Sequence, residues 1–458
     1  MWNTAERRRF RAYDLRHIDR IPQLERLSLN DRLAMKAVAA VLPFRANNYV
    51  LDELIDWGAV PDDPIFQLTF PQPGMLEPAD LQRMMTLVGS GALPIQIEHA
   101  AREIQRRLNP HPASQIELNV PRLDGAPVQG MQHKYRETVL FFPTQGQTCF
   151  AYCTYCFRWP QFVRLDDELK FASREADTLV AYLRAHPEVT SVLFTGGDPM
   201  IMKTVVLRRY IEPLLQPGLE HVNSIRIGTK APAQWPYRFV DDTDTDDLLL
   251  LFEEVRRSGR SLGLMAHYSH PRELETEGAQ AAVRRIQDAG GIIRCQTPLI
   301  RHINDDPRVW AEMWSQEVRL GAVPYYMFVE RDTGAKRYFE VPLARAVEIF
   351  RQAFQRVNGL ARTVRGPSMS TTPGKVLING IARIGAERVF VLQFLQARNP
   401  DWVGRPFFAK FDPTATWFDQ LVPAEGEREF FFEREGGEPV APAARASVTT
   451  TDRCASEP

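Results

Sequence analysis

The sequence predicts an α/β fold built on a parallel sheet, and two patterns lead to this prediction. From Thr138 onward, short apolar runs alternate with longer amphipathic runs, as in repeated strand-helix units. The strand candidates are apolar throughout, which fits strands that helices cover on both faces. About six such units would form a partial or open barrel, and a doubly wound sheet fits the pattern nearly as well.

The predicted elements of this region are short and evenly spaced. The strand candidates are residues 138–142, 191–197, 224–230, 262–269, 292–300 and 324–329. The helix candidates are residues 175–186, 246–259, 278–291 and 308–321. The last three helix candidates end on glycine, which is a common helix stop. In such sheets the functional side chains lie at the carboxyl ends of the strands.

The region before the sheet is predicted to be mostly helical. "SLNDRLAMKAVAAVLPF" has helical apolar spacing after a Ser28 cap, and "VLDELIDWG" predicts a short helix that ends at Gly58. A Pro-bearing stretch follows at 61–78, and "SQIELNVPRL" has only a weak helical pattern. The predicted regions are a helical N-terminal part at 1–110, the barrel with its site at 111–400, a C-terminal extension at 401–435 and a disordered tail at 436–458.

The composition is that of an ordinary globular protein. The chain is 44% hydrophobic and 25% charged with a formal net charge of -1, so no charge excess favours nucleic acid or an anionic membrane. No apolar stretch is long enough to span a bilayer, and the first residues lack the apolar core of a secretory signal. Three of the five cysteines lie close together, which indicates a metal or redox site in a reducing cytoplasm.

The clustered cysteines, Cys149, Cys153 and Cys156, have the spacing C-x3-C-x2-C on a loop after the first predicted strand. Structural zinc commonly takes two separated pairs of ligands, and no second pair follows here. Cys295 is expected in the core, and Cys454 lies in the tail. Three thiolates with one open position therefore suit a 4Fe-4S cluster in which one iron can bind a substrate or cofactor.

In this position the C-x3-C-x2-C motif resembles that of the radical S-adenosylmethionine enzymes. Tyr155, just before the third cysteine, fits the pattern of that superfamily. "FTGGDP" at 194–199 resembles its glycine-rich segment, in which glycines allow the backbone to approach the cofactor. The contacts to S-adenosylmethionine that the resemblance implies are Gly196, Gly197, Asp198, His267 and Gln296.

Five further segments narrow the resemblance to the lysine 2,3-aminomutase family. They are "HKYRETVLF" (133–141), "IRIGTKAPAQWPYR" (225–238), "HYSHPRE" (267–273), "QTPLIRHIND" (296–305) and "VPYYMF" (323–328). The resemblance implies a partial (β/α)6 barrel and an isomerase that moves an amino group between C2 and C3 of an amino acid. It also implies a 5′-deoxyadenosyl radical that removes the β-hydrogen.

Family members also use pyridoxal 5′-phosphate (PLP), and the resemblance implies that Lys375 in "TTPGKV" bonds to it. The phosphate contacts would be Lys134 and Tyr135. Thr138 stands where the family has a second arginine, and the glycine run before the lysine is shortened to one glycine.

The implied substrate contacts differ from those of lysine enzymes. Arg158 coincides with the family arginine that binds the substrate α-carboxylate. Arg331 and Ser368 occupy the positions of the two aspartates that hold the distal ammonium of lysine. A cation attracts a carboxylate, so we hypothesise an acidic or polar distal group, as in glutamate. A shift of one residue would bring in Asp332 and restore lysine.

Three alternatives stay open. They are a radical S-adenosylmethionine enzyme without PLP, an enzyme acting on a lysine within a protein, and a non-catalytic iron-sulfur module. The partners that the resemblance implies are an amino-acid substrate, an electron donor of the flavodoxin or ferredoxin type and further copies of the chain in a homo-oligomer. The family's C-terminal zinc-binding cysteines have no counterpart here.

Overall fold

The computed structural model describes residues 9–109, 119–163, 172–173 and 175–436. The tail predicted to be disordered, after its first residue, and the first half of "SQIELNVPRL" lie outside the described residues. None of the helices in the described ranges combines the length and apolar character that crossing a bilayer requires.

The N-terminal part is mostly helical, as predicted. Its helices are α1 (Leu29–Ala39), α2 (Pro64–Thr69), α3 (Pro78–Gly89) and α4 (Pro94–Leu108), and its two short strands β1 (Ala12–Tyr13) and β2 (Ala46–Asn47) pair antiparallel. The Ser28 hydroxyl caps α1 by accepting the Asp31 N–H at 3.1 Å. The helix predicted in "VLDELIDWG" is instead a single π-helical turn at Val50–Leu54, which ends well before Gly58.

After a short hairpin of β3 (Arg122–Leu123) and β4 (Ala126–Pro127), one sheet of eleven strands organises the described part of the chain. Its strands are β5 (Met131–Tyr135), β6 (Thr138–Phe141), β7 (Ser191–Phe194), β8 (Ser224–Thr229), β9 (Ser261–His267), β10 (Gly291–Leu299), β11 (Val323–Val329), β12 (Arg365–Ser370), β13 (Gly374–Ile384), β14 (Glu387–Ala397) and β15 (Pro406–Lys410). Neighbours from β6 to β12 are parallel, whereas β5 and β13 to β15 are antiparallel to their neighbours.

The strand order follows the chain from one edge of the sheet to the other. The predicted α/β class and all six predicted strands are confirmed. The doubly wound alternative is wrong, because such a sheet reverses its strand order at a switch point. Within the described residues the sheet stays open, with β5 and β15 at its edges. A seventh parallel strand, β12, was not predicted, because its sequence "RGPSMS" contains Gly and Pro and no apolar run.

Helices connect the parallel strands and cover them. They are α5 (Ala176–Ala185), α6 (Thr204–Ile211), α7 (Ala231–Gln234), α8 (Thr245–Arg257), α9 (Glu277–Asp288), α10 (Pro307–Arg319), α11 (Lys336–Phe339) and α12 (Leu343–Gln355), and α13 (Phe431–Arg434) follows the sheet. Gly259, Gly290 and Gly321 follow α8, α9 and α10 with φ of 82°, 88° and 75°. These left-handed glycines end the helices, as predicted.

The edge strand β5 approaches the carboxyl end of β12, the last of the parallel strands. The Lys134 ammonium on β5 donates a hydrogen bond to the carbonyl of Thr371, just after β12. The parallel strands between them must therefore curve. This curvature brings the loops at their carboxyl ends around one common space.

Candidate active site

The cysteine loop follows the carboxyl end of β6, and protein atoms surround its thiols. Burial raises the pKa of Cys153 to about 12 and also raises the pKa of Cys149 and Cys156. Among the described residues, no three His, Cys, Asp or Glu side chains converge on a single ion. A cubane cluster spreads its thiolates over different irons, so the donor set of three cysteines fits a 4Fe-4S cluster.

The N-terminal part holds the cysteine loop in place. The backbone N–H groups of Tyr152 and Thr154 donate to the carbonyls of Arg45 (2.8 Å) and Leu68 (2.9 Å). The buried Asn47 amide donates to the Phe150 carbonyl at 3.2 Å. Backbone bonds of this kind fix the loop without using its thiols, so the helical region has a direct role in shaping the site.

The glycine-rich segment after β7 packs directly against the same loop. A Cβ atom on Gly196, whose φ is +145°, would lie 2.4 Å from Gln147 Nε2. A Cβ atom on Gly197 would lie 2.5 Å from the Thr148 carbonyl oxygen. Only glycine fits this close approach, which leaves the backbone of both residues beside the cysteine loop.

Asp198 joins the end of β7 to the end of β8. Its carboxylate accepts hydrogen bonds from the Thr229 hydroxyl at 2.7 Å, the Lys230 N–H at 2.8 Å and the Met200 N–H at 2.9 Å. Burial raises the pKa of Asp198 to about 6. These protein donors position the carboxylate, so any role toward S-adenosylmethionine would use its backbone or its remaining lone pairs.

His267 and Gln296 are the other two predicted S-adenosylmethionine contacts. His267 ends β9 and is paired with Gln296, which lies within β10. Burial, together with the charge of Lys230, lowers the pKa of His267 to about 3. The imidazole is therefore neutral and offers one donor and one acceptor.

A buried ion pair beside the cysteines was missed from the sequence. Lys230 Nζ lies 2.7 Å from Glu273 Oε1, and both side chains are nearly inaccessible. Lys230 also donates to the Ser269 hydroxyl at 3.2 Å, which lies 2.8 Å from the Tyr155 hydroxyl. The network thus reaches the cysteine loop through Tyr155. A lysine and a glutamate on separate segments give no sequence signal that they pair.

A cavity of about 100 Å³ lies next to the cysteine loop, and we call it the cationic cavity. Its charged lining residues are Lys134, Arg158, Arg331 and Arg398. No aspartate or glutamate among the described residues lines it. The larger surface groove between α3 and α4, about 630 Å³, contains none of the predicted site residues. Charge complementarity therefore makes the cationic cavity a site for anionic ligands.

The cationic cavity brings together three residues predicted from different parts of the sequence: Lys134, Arg158 and Arg331. The guanidinium carbons of Arg158 and Arg331 lie 5.1 and 5.5 Å from the centre of the Phe157 ring. Burial lowers the pKa of Arg158 to about 10 and also lowers the pKa of Arg331. Arginine guanidinium groups nevertheless keep their proton in proteins. Arg331 Nε lies 3.8 Å from the Asp332 carboxylate.

Lys375 is the second residue of β13 and lies directly opposite Ser370, which lines the cationic cavity. Opposed residues of antiparallel strands share a face of the sheet, so Lys375 faces the same side as Ser370. Its ammonium nitrogen lies 4.2 Å from the centre of the Tyr326 ring. Burial, and then the charges of Arg365 and Arg226, lower the pKa of Lys375 to about 7. A large fraction of this amine is therefore neutral and nucleophilic at pH 7.

Of the two predicted phosphate contacts, Lys134 lines the cavity and Tyr135 does not. Burial, followed by the charges of Arg398, Arg331 and Lys375, lowers the pKa of Lys134 to about 7. The Lys134 ammonium lies 5.3 Å from the centre of the Tyr135 ring. A buried lysine among other cations is unfavourable in the folded chain, and an anion bound beside it would relieve this cost.

Thr138 and three of the predicted PLP and substrate contacts, Tyr135, Ser368 and Lys375, lie outside the cavity lining. The Thr138 hydroxyl accepts a hydrogen bond from Arg226 at 3.3 Å. Ser368 is fully buried within β12, where its hydroxyl lies 3.5 Å from the Met327 carbonyl. Arg398, by contrast, lines the cavity although nothing in its local sequence "ARNP" indicates this.

Comparisons with known proteins found relatives that are named lysine 2,3-aminomutase. No family model matches the chain. The chain is 32% identical over 410 residues to the "Putative L-lysine 2,3-aminomutase" of Aquifex aeolicus. This alignment covers 89% of this chain and 94% of that protein. It is 29% identical over 224 residues to the L-lysine 2,3-aminomutase of Clostridium subterminale and 28% identical over 249 residues to that of Escherichia coli. These two alignments cover 49% and 53% of this chain, and 50% and 68% of the relatives.

Proposed function

Because the chain belongs to the lysine 2,3-aminomutase family, we propose that it is a radical S-adenosylmethionine isomerase that uses PLP. It would move the amino group of a free amino acid from C2 to C3. One observation carries the proposal. Arg158, two residues after Cys156, and Ser370, opposite Lys375, line the same cavity. Lys375 is not itself a lining residue, but it shares a face of the sheet with Ser370. This supports one common space for the loop that would hold the cluster and the lysine that would hold PLP.

Cys149, Cys153 and Cys156 would hold the 4Fe-4S cluster, and the backbone of Gly196 and Gly197 would lie against S-adenosylmethionine bound at the open iron. With S-adenosylmethionine bound beside these residues, a reduced cluster would supply a 5′-deoxyadenosyl radical able to remove one hydrogen atom from the substrate. The neutral His267 imidazole fits a hydrogen-bonding role toward an uncharged part of that cofactor, because it adds no charge beside the cluster.

Lys375 would hold PLP covalently. Its neutral amine would bond to the aldehyde carbon of the cofactor with the release of one water. The lowered pKa supports this role, since only the unprotonated amine is a nucleophile. PLP supplies a π-system over which an unpaired electron can spread while nitrogen migrates.

The charges of the cationic cavity support an acidic substrate. Arg158 would bind the α-carboxylate in a bidentate contact, and Arg331 lies beside the same Phe157 ring. A distal carboxylate would pair with Arg331, whereas the ammonium of lysine would add one more cation to this cavity. We therefore propose a substrate with a carboxylate at its far end, of the glutamate type.

We also propose a partial barrel around the site, a protein electron donor and a homo-oligomer. The contact between Lys134 and Thr371 supports a parallel sheet that is curved into a partial barrel around the site. A low-potential flavodoxin or ferredoxin would deliver the electron, in a reducing cytoplasm that keeps the free cysteines as thiols. We propose a homo-oligomer and no role for nucleic acid or membrane.

The test begins with anaerobically purified protein. We expect iron and sulfide in proportion to one 4Fe-4S cluster, and release of 5′-deoxyadenosine when dithionite and S-adenosylmethionine are added. We also expect PLP bonded to Lys375, absent from Lys375→Ala and retained in Lys410→Ala, which removes an exposed lysine of β15. Deoxyadenosine release without bound PLP would favour the PLP-independent enzyme. Absence of both would leave only an iron-sulfur module.

A further inference from the structure

Arg398 is an arginine of the cationic cavity that neither the sequence patterns nor the family motifs indicated. It follows β14 and lies exposed at the mouth of the cavity. Its Nε donates to the Thr372 carbonyl at 2.9 Å, and its Nη2 donates to the Asn119 side chain at 2.7 Å. These two bonds hold the guanidinium in a fixed orientation, which lowers the entropy that a ligand contact would cost.

The backbone reinforces this placement. The Arg398 N–H donates to the Pro373 carbonyl at 3.0 Å, so both the main chain and the side chain of Arg398 are bonded to the turn that leads into Lys375. The turn therefore positions the proposed cofactor lysine and Arg398 as one unit. A group bonded to Lys375 would extend toward residues that this same turn organises.

Arg398 shares the cavity with Lys134, whose ammonium is held by the Thr371 carbonyl of the same turn. The hydroxyl-bearing residues Ser370, Thr371 and Thr372 also line the cavity there. Two cations and several hydroxyl-bearing residues, with no described acidic side chain between them, form a set that suits a doubly charged phosphate better than a single carboxylate.

We infer that Arg398, together with Lys134, binds the phosphate group of PLP and so takes over the role of the arginine that Thr138 replaces. The inference rests on the proposed PLP dependence. Thr138 itself lies off the cavity lining, where its hydroxyl accepts from Arg226. A phosphate site built from the turn beside Lys375 explains how the chain can do without a cation at Thr138.

The experiment titrates the anaerobically purified, cluster-loaded protein with PLP and, in parallel, with pyridoxal, which lacks the phosphate. Borohydride fixes whatever is bonded to Lys375, and mass spectrometry of that peptide gives the occupied fraction. The variant is Arg398→Gln, and the matched control is Arg362→Gln. Arg362 also donates from Nε to backbone carbonyls, those of Phe354 and Val357, but lies outside the cavity lining.

We expect Arg398→Gln to raise the half-saturating PLP concentration about 10- to 100-fold, because a charge-assisted bond to phosphate is lost. Arg398→Lys, which keeps the charge and loses the fork, should lie between this value and wild type. Half-saturation by pyridoxal should not change, and Arg362→Gln should match wild type for both compounds.

Two results would overturn the inference while leaving the proposed function standing. One is unchanged PLP half-saturation in Arg398→Gln protein that has the iron content and Tm of wild type. The other is an equal loss of affinity for PLP and pyridoxal, since that would mean Arg398 acts on Lys375 or the turn rather than on the phosphate. If wild-type protein itself carries no fixed cofactor at Lys375, the proposed PLP dependence fails first.

Discussion

Arg158 and Arg331 come from distant parts of the chain, yet both guanidinium groups lie over the ring of Phe157, at 5.1 and 5.5 Å from its centre. Arg158 follows the cysteine loop, and Arg331 follows β11. Because the two guanidinium groups lie close together, the cavity has two cations that can bind the two carboxylates of a dicarboxylate. Phe157 serves as the common surface on which both planar groups are oriented.

The first prediction concerns Arg331. Arg331→Gln should lower kcat/KM for an acidic amino acid about 30-fold or more, because a buried charge-assisted pair of this kind is worth about 2 kcal/mol or more. Arg331→Asp should lower it further and admit lysine, since the new carboxylate repels one substrate and attracts the other. Rates of β-amino acid formation from glutamate and lysine measure both effects. Faster turnover of lysine than glutamate by wild-type protein would refute the assignment of Arg331.

The second prediction is a pH profile for cofactor attachment. With the pKa of Lys375 lowered to about 7, its amine is mostly protonated below that pH and mostly neutral above it. The rate at which PLP becomes bonded to Lys375 should therefore rise between about pH 6 and pH 8 and then level off. Stopped-flow or borohydride-quench measurements follow this rate. A rate that keeps rising toward pH 10 would show an ordinary lysine instead.

The third prediction links Lys134 to stability. Its pKa is lowered from 10.5 to about 7 in the folded protein, so the unfolded chain binds more protons between these two pH values. The resulting cost to folding is fully present below about pH 7 and disappears above about pH 10. Lys134→Met should therefore raise Tm at pH 7 and raise it less as the pH approaches 10.

The same Lys134→Met variant should weaken PLP binding, because the phosphate loses a cation. Lys410→Met, which removes an exposed lysine, should change neither Tm nor PLP binding noticeably. A Lys134→Met protein that unfolds at a lower temperature than wild type at pH 7 would argue that this lysine stabilises the fold rather than the ligand.

The fourth prediction concerns Asn47, whose buried side chain donates to the carbonyls of Phe150 and Gln234 and accepts from the Val50 N–H. Asn47→Ala should leave these groups unpaired and cost about 1 to 3 kcal/mol per group. Its effect should include faster loss of iron, since Phe150 directly follows Cys149. The neighbouring Asn48→Ala serves as the control, because it removes a half-buried amide whose hydrogen bonds go to the backbone of Arg9 and Arg11 and not to the cysteine loop. Equal iron retention by both variants would separate Asn47 from the cluster loop.

The fifth prediction concerns the glycine segment. Gly196→Ala and Gly197→Ala should both disturb the site. At Gly196 the φ of +145° strains an alanine even if the Gln147 side chain moves aside, and at Gly197 the Cβ would meet the Thr148 backbone. We expect weaker S-adenosylmethionine binding in equilibrium titrations of both variants. Gly359→Ala, with open space around its Cβ, is the control. Wild-type affinity in Gly197→Ala would mean that the segment does not shape this site.

Local patterns were enough to predict the elements that local chemistry determines. The apolar runs gave the six strands, and Gly259, Gly290 and Gly321 gave the helix ends. The strand β12 was not predicted, because its own residues do not favour a strand. Its pairing with β11 and β13 makes it one.

The site residues also divide into those that local sequence predicts and those that only the folded chain brings together. The cysteine spacing predicted Cys149, Cys153 and Cys156, and the family motifs indicated Arg158, Arg331 and Lys375. Arg398 and the pair of Lys230 with Glu273 depend on segments that only folding brings together. One sequence on its own contains no period or spacing that reports such contacts.

The most direct test of the account is the reaction itself. Cluster-loaded protein is incubated anaerobically with S-adenosylmethionine, PLP, dithionite and, in turn, L-glutamate, L-lysine, L-glutamine and L-arginine, and NMR and mass spectrometry identify the isomers formed. The account predicts the C3-amino isomer of glutamate, dependent on S-adenosylmethionine and absent with Lys375→Ala. Release of 5′-deoxyadenosine with no C3-amino product from any of the four amino acids would contradict it.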